Sequence, residues 1–163
     1  MKRTAKGEAA ALRPFSRALP IQLMRAREAV MQRFRPLLRS RGITEQQWRI
    51  IRCLVEVEQL EIGELSARCC LLPASLSRIL PKLEADGLIT RRTHVGDHRR
   101  IIVSIAPKGL RLFESIAPYS VVIYAELERV VGTERLTEIH RVLDELIEAL
   151  ATPGEVAIVE EVE

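Results

Sequence analysis

Residues 62–109 read IGELSARCCLLPASLSRILPKLEADGLITRRTHVGDHRRIIVSIAPKG. Two short apolar-periodic segments, Ile62–Cys70 and Pro73–Glu84, flank a tight Leu71-Leu72 turn. Two β-rich runs follow, Leu88–His94 and Arg100–Ile105, joined by a loop over Val95–Arg99. The pattern predicts a helix–turn–helix with a basic hairpin behind it. A helix of this length fits the major groove of duplex DNA, and a cationic hairpin tip fits the minor groove.

At 100° per residue the second helix turns Leu76, Ile79, Leu80 and Leu83 toward the domain. Ser75, Ser77, Arg78 and Lys82 fall on its other faces. Arg78 has the reach for a bidentate bond to a guanine edge. The serines suit bases or phosphates, and Lys82 suits a phosphate. Pro81 removes one backbone hydrogen bond and should bend this helix. In the hairpin, Arg91, Arg92, Arg99 and Arg100 bracket Gly96-Asp97-His98. Asp97 would be repelled by DNA, so it reads as a brace that pairs with an arginine and shapes the tip. Arg99 then enters the minor groove, with Arg92, Arg100, His94 and His98 adding phosphate contacts.

Outside this region the chain is helical. Leu19, Leu23, Ala26, Val30, Phe34, Leu37 and Leu38 mark a first helix that ends at Gly42, with Pro36 bending its last turn. Thr44 and Gln47 form a capping box for a second helix reaching Val57, with Trp48, Ile51, Leu54 and Val55 on its apolar side. Leu60-Glu61-Ile62 reads as a short third strand. Pro107 opens a long helix that Pro118 should kink, and Gly132-Thr133 ends it and caps the next. In that last helix Leu136, Ile139, Leu143, Leu146 and Leu150 recur at spacings of three and four, a coiled-coil type of seam.

The fold class expected is therefore mainly α with a small β-hairpin wing. Residues 43–105 form the winged helix-turn-helix DNA-binding domain, and 15–42 and 106–152 supply N- and C-terminal dimerisation helices. A basic arm (1–14) and a disordered acidic tail (153–163) flank them. So much surplus helix suits a symmetric homodimer reading a palindromic operator; a monomer folding its helices back on itself is the alternative.

Bulk properties narrow the function. The chain has 163 residues and a net charge of only +3, but eleven Lys/Arg against two Glu lie in residues 1–41. No apolar run is long enough for a membrane span and no signal-peptide core is present, so the cytoplasm is the default compartment. The chain shows no phosphate loop, nucleophile elbow or metal-ligand spacing, so neither an enzyme, a metal site nor a cofactor is expected. Cys53, Cys69 and Cys70 lack CxxC spacing and read as structural thiols. An oxidant-sensing regulator acting through one of them is the alternative.

The order of elements resembles the MarR family of transcriptional regulators over roughly residues 15–150. The most specific likeness is Asp97-His98-Arg99 followed by Ile101, Val103, Ser104, Ile105 and Gly109. Ile105-Ala106 stands where the family has Leu-Thr, so the usual hydroxyl cap on the next helix is missing. Ala26-Arg27-Glu28-Ala29, Met31, Phe34-Arg35-Pro36, Thr44-Glu45-Gln46-Gln47-Trp48-Arg49 and Leu72-Pro73-Ala74-Ser75-Leu76 resemble the family's homoprotocatechuate-operon regulators. Nicotinate-breakdown regulators that respond to 6-hydroxynicotinate look similar. The resemblance implies a homodimeric repressor of an aromatic-catabolism operon. It also implies release from DNA when a small aromatic carboxylate, of the homoprotocatechuate or 6-hydroxynicotinate type, binds between the dimerisation helices and the winged domain. Such an acid needs a cation, a flat apolar wall and a polar group. Arg27, Trp48, Arg49 and Arg52 can supply them; a core role for Trp48 and a surface or DNA-facing role for each arginine stay open. Operator, effector and the sign of regulation are not fixed by the residues.

Overall fold

The computed structural model describes residues 14–151, the His98 side chain excepted. The expected arm and tail lie outside the described residues, apart from Pro14. After a short 3-10 turn at Phe15–Arg17 the elements are α1 (Leu19–Ser40), α2 (Glu45–Val57), β1 (Gln59–Glu61), α3 (Ile62–Cys69) and α4 (Pro73–Ala85). They continue with β2 (Ile89–His94), β3 (Asp97–Ile105), α5 (Pro107–Val131) and α6 (Thr133–Ala151). The chain divides into two compact units, one up to Ile123 and one from Tyr124.

In the first unit the boundaries have local causes. Gly42 sits at φ +67°, which lets the Ile43 N–H turn back to the Leu38 carbonyl and stop α1. The Thr44 hydroxyl accepts from the Gln47 N–H at 3.2 Å, while Gln47 Oε1 accepts from the Thr44 N–H at 2.9 Å. Both halves of the capping box are thus made. Glu61 and Glu64 form a second such box at the start of α3. This is why the third strand is Gln59–Glu61, one residue earlier than expected: Ile62 already belongs to α3. Helices α1, α4 and α5 run on through Pro36, Pro81 and Pro118.

The core is built where α2, α3 and α4 cover one another and the sheet. Ile50, Ile51, Leu54, Leu65, Leu76, Leu83 and Val103 are wholly buried, and Leu80 is nearly so. Truncating any of these leucines to alanine would cost about 2–5 kcal/mol. The antiparallel sheet has the order β1-β3-β2, with Leu60 opposite Val103 and Arg92 opposite Ile102.

The hairpin corrects one expectation. The turn is two residues long, Val95-Gly96, and Asp97, His98 and Arg99 belong to β3. Gly96 at φ +108° allows this tight reversal, with His94 placed opposite Asp97. The polar run looked like loop, but its ladder bonds decide in favour of strand.

In the second unit Gly132, at φ +89°, breaks α5 from α6. Thr133 is already the first residue of α6 and its carbonyl accepts the Thr137 hydroxyl, so Gly132 rather than Thr133 takes the capping position. Helix α6 has no buried residue. Leu136, Leu143 and Leu146 are half-buried, while Ile139 and Leu150 are exposed.

Candidate nucleic-acid and effector interfaces

Helix α4 seats Leu76, Leu80 and Leu83 in the core and thereby turns Ser77, Arg78 and Lys82 to solvent, with Ser75 half-buried beside them. The Ser77 hydroxyl donates to the Ala74 carbonyl at 2.9 Å. Lys82 pairs with Asp86 at 3.3 Å, one turn along the helix. Among the described residues the Arg78 guanidinium has no hydrogen bond or ion pair. An open groove of about 440 Å³ runs between Ser75, Arg78 and Lys82 on one side and Thr44 and Gln46 on the other.

The hairpin treats its arginines unequally. Arg91 is bound to Glu84 of α4: its backbone N–H donates to Oε1 at 3.1 Å and its Nε to Oε2 at 2.8 Å. The hydrogen bond from Arg91 holds the Glu84 carboxyl below the usual range. Arg92 donates to Gln59 Oε1 at 3.0 Å, and Arg100 is ion-paired with Glu61. Only long-range pairing across β1 could reveal these two engagements, since 33 and 39 residues separate the partners. The exposed Arg99 guanidinium has no partner among the described residues. Asp97 Oδ1 accepts the Arg99 backbone N–H at 3.0 Å, so it shapes the strand start through an amide rather than through the expected arginine side chain. His94 is half-buried, and its Nδ1 is enclosed without a partner. Among the described side chains of the expected set, Arg78 on α4 and Arg99 by the tip are therefore the two guanidinium groups without a hydrogen-bond or ion-pair partner.

The four residues expected to take an acid do not form one site. Arg27 and Arg49 line a cleft of about 550 Å³ between α1 and α2, together with Arg35, Arg39 and Glu45. Trp48 and Arg52 do not line it. Arg27 pairs with Glu45 at 2.7 Å, and Arg35 bridges Glu45 and Glu28. Burial pushes the Glu45 carboxyl up, but hydrogen bonds from Arg35 and Arg27 outweigh it and hold it below the usual range. Arg35 is the residue the sequence reading missed. Its signal was the Glu28-to-Arg35 spacing of two helical turns. Arg49 is committed to structure, since its Nη1 donates to the Cys69 carbonyl at 2.7 Å and so caps the C-terminus of α3.

Trp48 is 7% exposed and stacks on Phe113, ring centroids 5.6 Å apart and planes 17° from parallel. Its indole N–H has no hydrogen-bond acceptor among the described residues. Arg52 follows one turn later on α2 and is exposed. The three thiols differ: Cys70 is exposed, Cys53 half-buried and Cys69 buried. Burial, with Cys53 close by, pushes the Cys69 thiol up to about 12. No group of residues able to hold a metal ion occurs among the described residues, and no described helix is long and apolar enough to cross a membrane.

The MarR family model matches residues 43–101, which span α2 to the middle of β3. The homoprotocatechuate degradative operon repressor of Escherichia coli is 35% identical over 80% of this chain and 88% of its own. The HTH-type transcriptional regulator FarR of Neisseria gonorrhoeae is 39% identical over 79% of this chain and 88% of its own. Among solved structures, NadR in complex with 4-hydroxyphenylacetate superposes with a TM-score of 0.71 at 37% identity, covering 83% of this chain and 96% of that one.

Proposed function

The chain belongs to the MarR family of transcriptional regulators, and on that footing we propose that it is a homodimeric repressor released from a palindromic operator by a hydroxyphenylacetate-type acid. It is a regulator and not an enzyme, as its relatives are. The observation that carries the effector class is chemical agreement between relatives. The Escherichia coli repressor is named for homoprotocatechuate, and NadR is held with 4-hydroxyphenylacetate. Both acids join a phenolic ring to an acetate arm, so this class is preferred over 6-hydroxynicotinate.

The apolar stripe of α6 supports a dimer, because Ile139, Val142, Ile147 and Leu150 are exposed on a helix with no buried residue. Residues 15–42 and 106–152 are the proposed dimerisation helices around the winged domain. Arg78 and Arg99 are the proposed groove-reading cations, with Ser75, Ser77, Lys82, Arg92, His94, His98 and Arg100 as further contacts. Lys82, Arg92 and Arg100 would exchange Asp86, Gln59 and Glu61 for phosphates.

For the acid, Trp48 and Arg52 are the better pair. The Trp48 indole N–H has no acceptor among the described residues, and Arg52 on the next turn would exchange its present interaction for the carboxylate. Arg27 and Arg49 act through Glu45 and through the end of α3. Release follows if the acid binds more tightly to a dimer whose reading helices are wrongly spaced. The test is operator release by 4-hydroxyphenylacetate, homoprotocatechuate and 6-hydroxynicotinate, with Arg52→Gln beside Arg27→Ala. Loss of the response in Arg52→Gln alone, with operator affinity intact, is expected. An unchanged response in Arg52→Gln removes this site.

A further inference from the structure

The groove along α4 and the cleft between α1 and α2 share a rim. Thr44 and Gln46 line both, so the two openings follow one another across the start of α2. On the α4 side stand Arg78 and Lys82, and among the described residues no carboxylate lines that groove. On the far side stands Arg39, from the last turn of α1. Its side chain is exposed, and its guanidinium has no hydrogen bond or ion pair among the described residues. Gln46 is exposed too, and its side-chain amide is likewise without a partner among them.

The free charge along this path has one sign. Glu45, which lines the cleft, is taken by Arg27 at 2.7 Å and by Arg35. Arg35 also holds Glu28. These four charges cancel, which leaves Arg39 and Arg49 in surplus at the cleft. Arg49 is turned to the Cys69 carbonyl, so Arg39 is the cation open to an occupant. At the other end Lys82 shares its charge with Asp86, while Arg78 is unpaired among the described residues. Two such guanidinium groups, with an amide on the rim between them, suit an extended polyanion better than a single small anion. The path also continues from the helix face proposed to read a major groove. That continuity selects the occupant, the sugar–phosphate backbone of the same duplex.

On the reading of this chain as an operator-binding regulator, on which this rests, we propose that the DNA backbone leaving the α4 footprint crosses the Thr44–Gln46 rim. Gln46 and Arg39 then hold phosphates of the flanking base pairs. Helix α1 gains a direct part in the DNA contact, beyond the dimer role expected of it.

The test is fluorescence anisotropy of the full-length protein on a duplex that it selects from a randomised pool. Arg39→Gln should weaken binding about eightfold in about 0.1 M salt and flatten the salt slope by about 0.9, the loss of one counterion-releasing contact. Gln46→Glu separates contact from fold. A carboxylate in the first turn of α2 favours the helix dipole, so the thermal midpoint should hold or rise. DNA affinity should meanwhile fall about fivefold, because the new charge faces a phosphate. On a duplex trimmed to the α4 and hairpin footprints, Arg39→Gln and the parent should bind alike. Unchanged affinity and slope in Arg39→Gln, or unchanged affinity in Gln46→Glu, overturns the strand path. So does an Arg39→Gln loss that persists on the trimmed duplex. Failure of the parent protein to select any duplex refutes the DNA reading itself, and the strand path falls with it.

Discussion

Replacing Gly109 by alanine tests how α5 is seated on the hairpin. Gly109 is buried in the first turn of α5. An added Cβ would stand 2.7 Å from Ile105 Cδ1 and 3.1 Å from the Leu88 carbonyl carbon, and nearer still to its oxygen. The Ile105 methyl can rotate away, but the carbonyl is fixed because it accepts the Ala106 N–H at 3.0 Å. The start of α5 must therefore retreat. Overpacking of this kind costs about 1–3 kcal/mol, and weakening the Leu88–Ala106 hydrogen bond adds about 1 kcal/mol. The helix preference of alanine returns about 1 kcal/mol. The net loss is about 2 kcal/mol, or roughly 4–8 °C in Tm for a chain of this size. Gly63→Ala is the control, since nothing lies within 4 Å of its added Cβ; it should be neutral or stabilising by up to about 1 kcal/mol. Thermal unfolding of the two variants beside the parent decides the matter. A Gly109→Ala midpoint at or above the parent's would refute the steric reasoning.

Three further outcomes are expected. Arg78→Ala should cost about 1–3 kcal/mol on the cognate operator and relax preference at one base pair, whereas Lys82→Ala should weaken all sequences alike and flatten the salt slope by about 1; fluorescence anisotropy at several salt concentrations separates them. Leu143→Arg on α6 should shift the molecule toward monomer in analytical ultracentrifugation, and an unchanged sedimentation profile would exclude α6 from the dimer contact. The raised Cys69 pKa makes the fold favour the neutral thiol: its contribution is complete below the unfolded value near 9 and is lost as pH climbs toward about 12. Chemical denaturation should show Cys69→Ala flattening that alkaline decline, and brief alkylation at neutral pH should label Cys70 well before Cys69.

Local patterns disclosed the frame of this molecule. The Thr44–Gln47 box, the Gly42 stop and the leucine periodicity of α4 are short-range features, and each appears where the sequence places it. The hairpin turn was misjudged because Asp97, His98 and Arg99 look like loop until β1 and β2 are seen on either side of β3. The site was less legible for the same reason. Whether a given arginine is available depends on acids far along the chain, as Glu61 is for Arg100, or on carbonyls of another helix, as with Arg49 and Cys69. Periodicity places Trp48 on an apolar face but carries no sign of Phe113, which stacks on it from α5.

The clasp between Glu84 and Arg91 makes α4 and the hairpin a caliper of fixed opening. In the proposed function one jaw would enter a major groove and the other the minor groove beside it. Inserting one base pair between the two footprints would move them apart by about 3.4 Å and turn one about the axis by roughly 35°. The clasp does not stretch to follow, so a lengthened half-site forfeits one jaw entirely. Operators read in the proposed way would diverge by exchanging bases within a half-site, but not by changing its length.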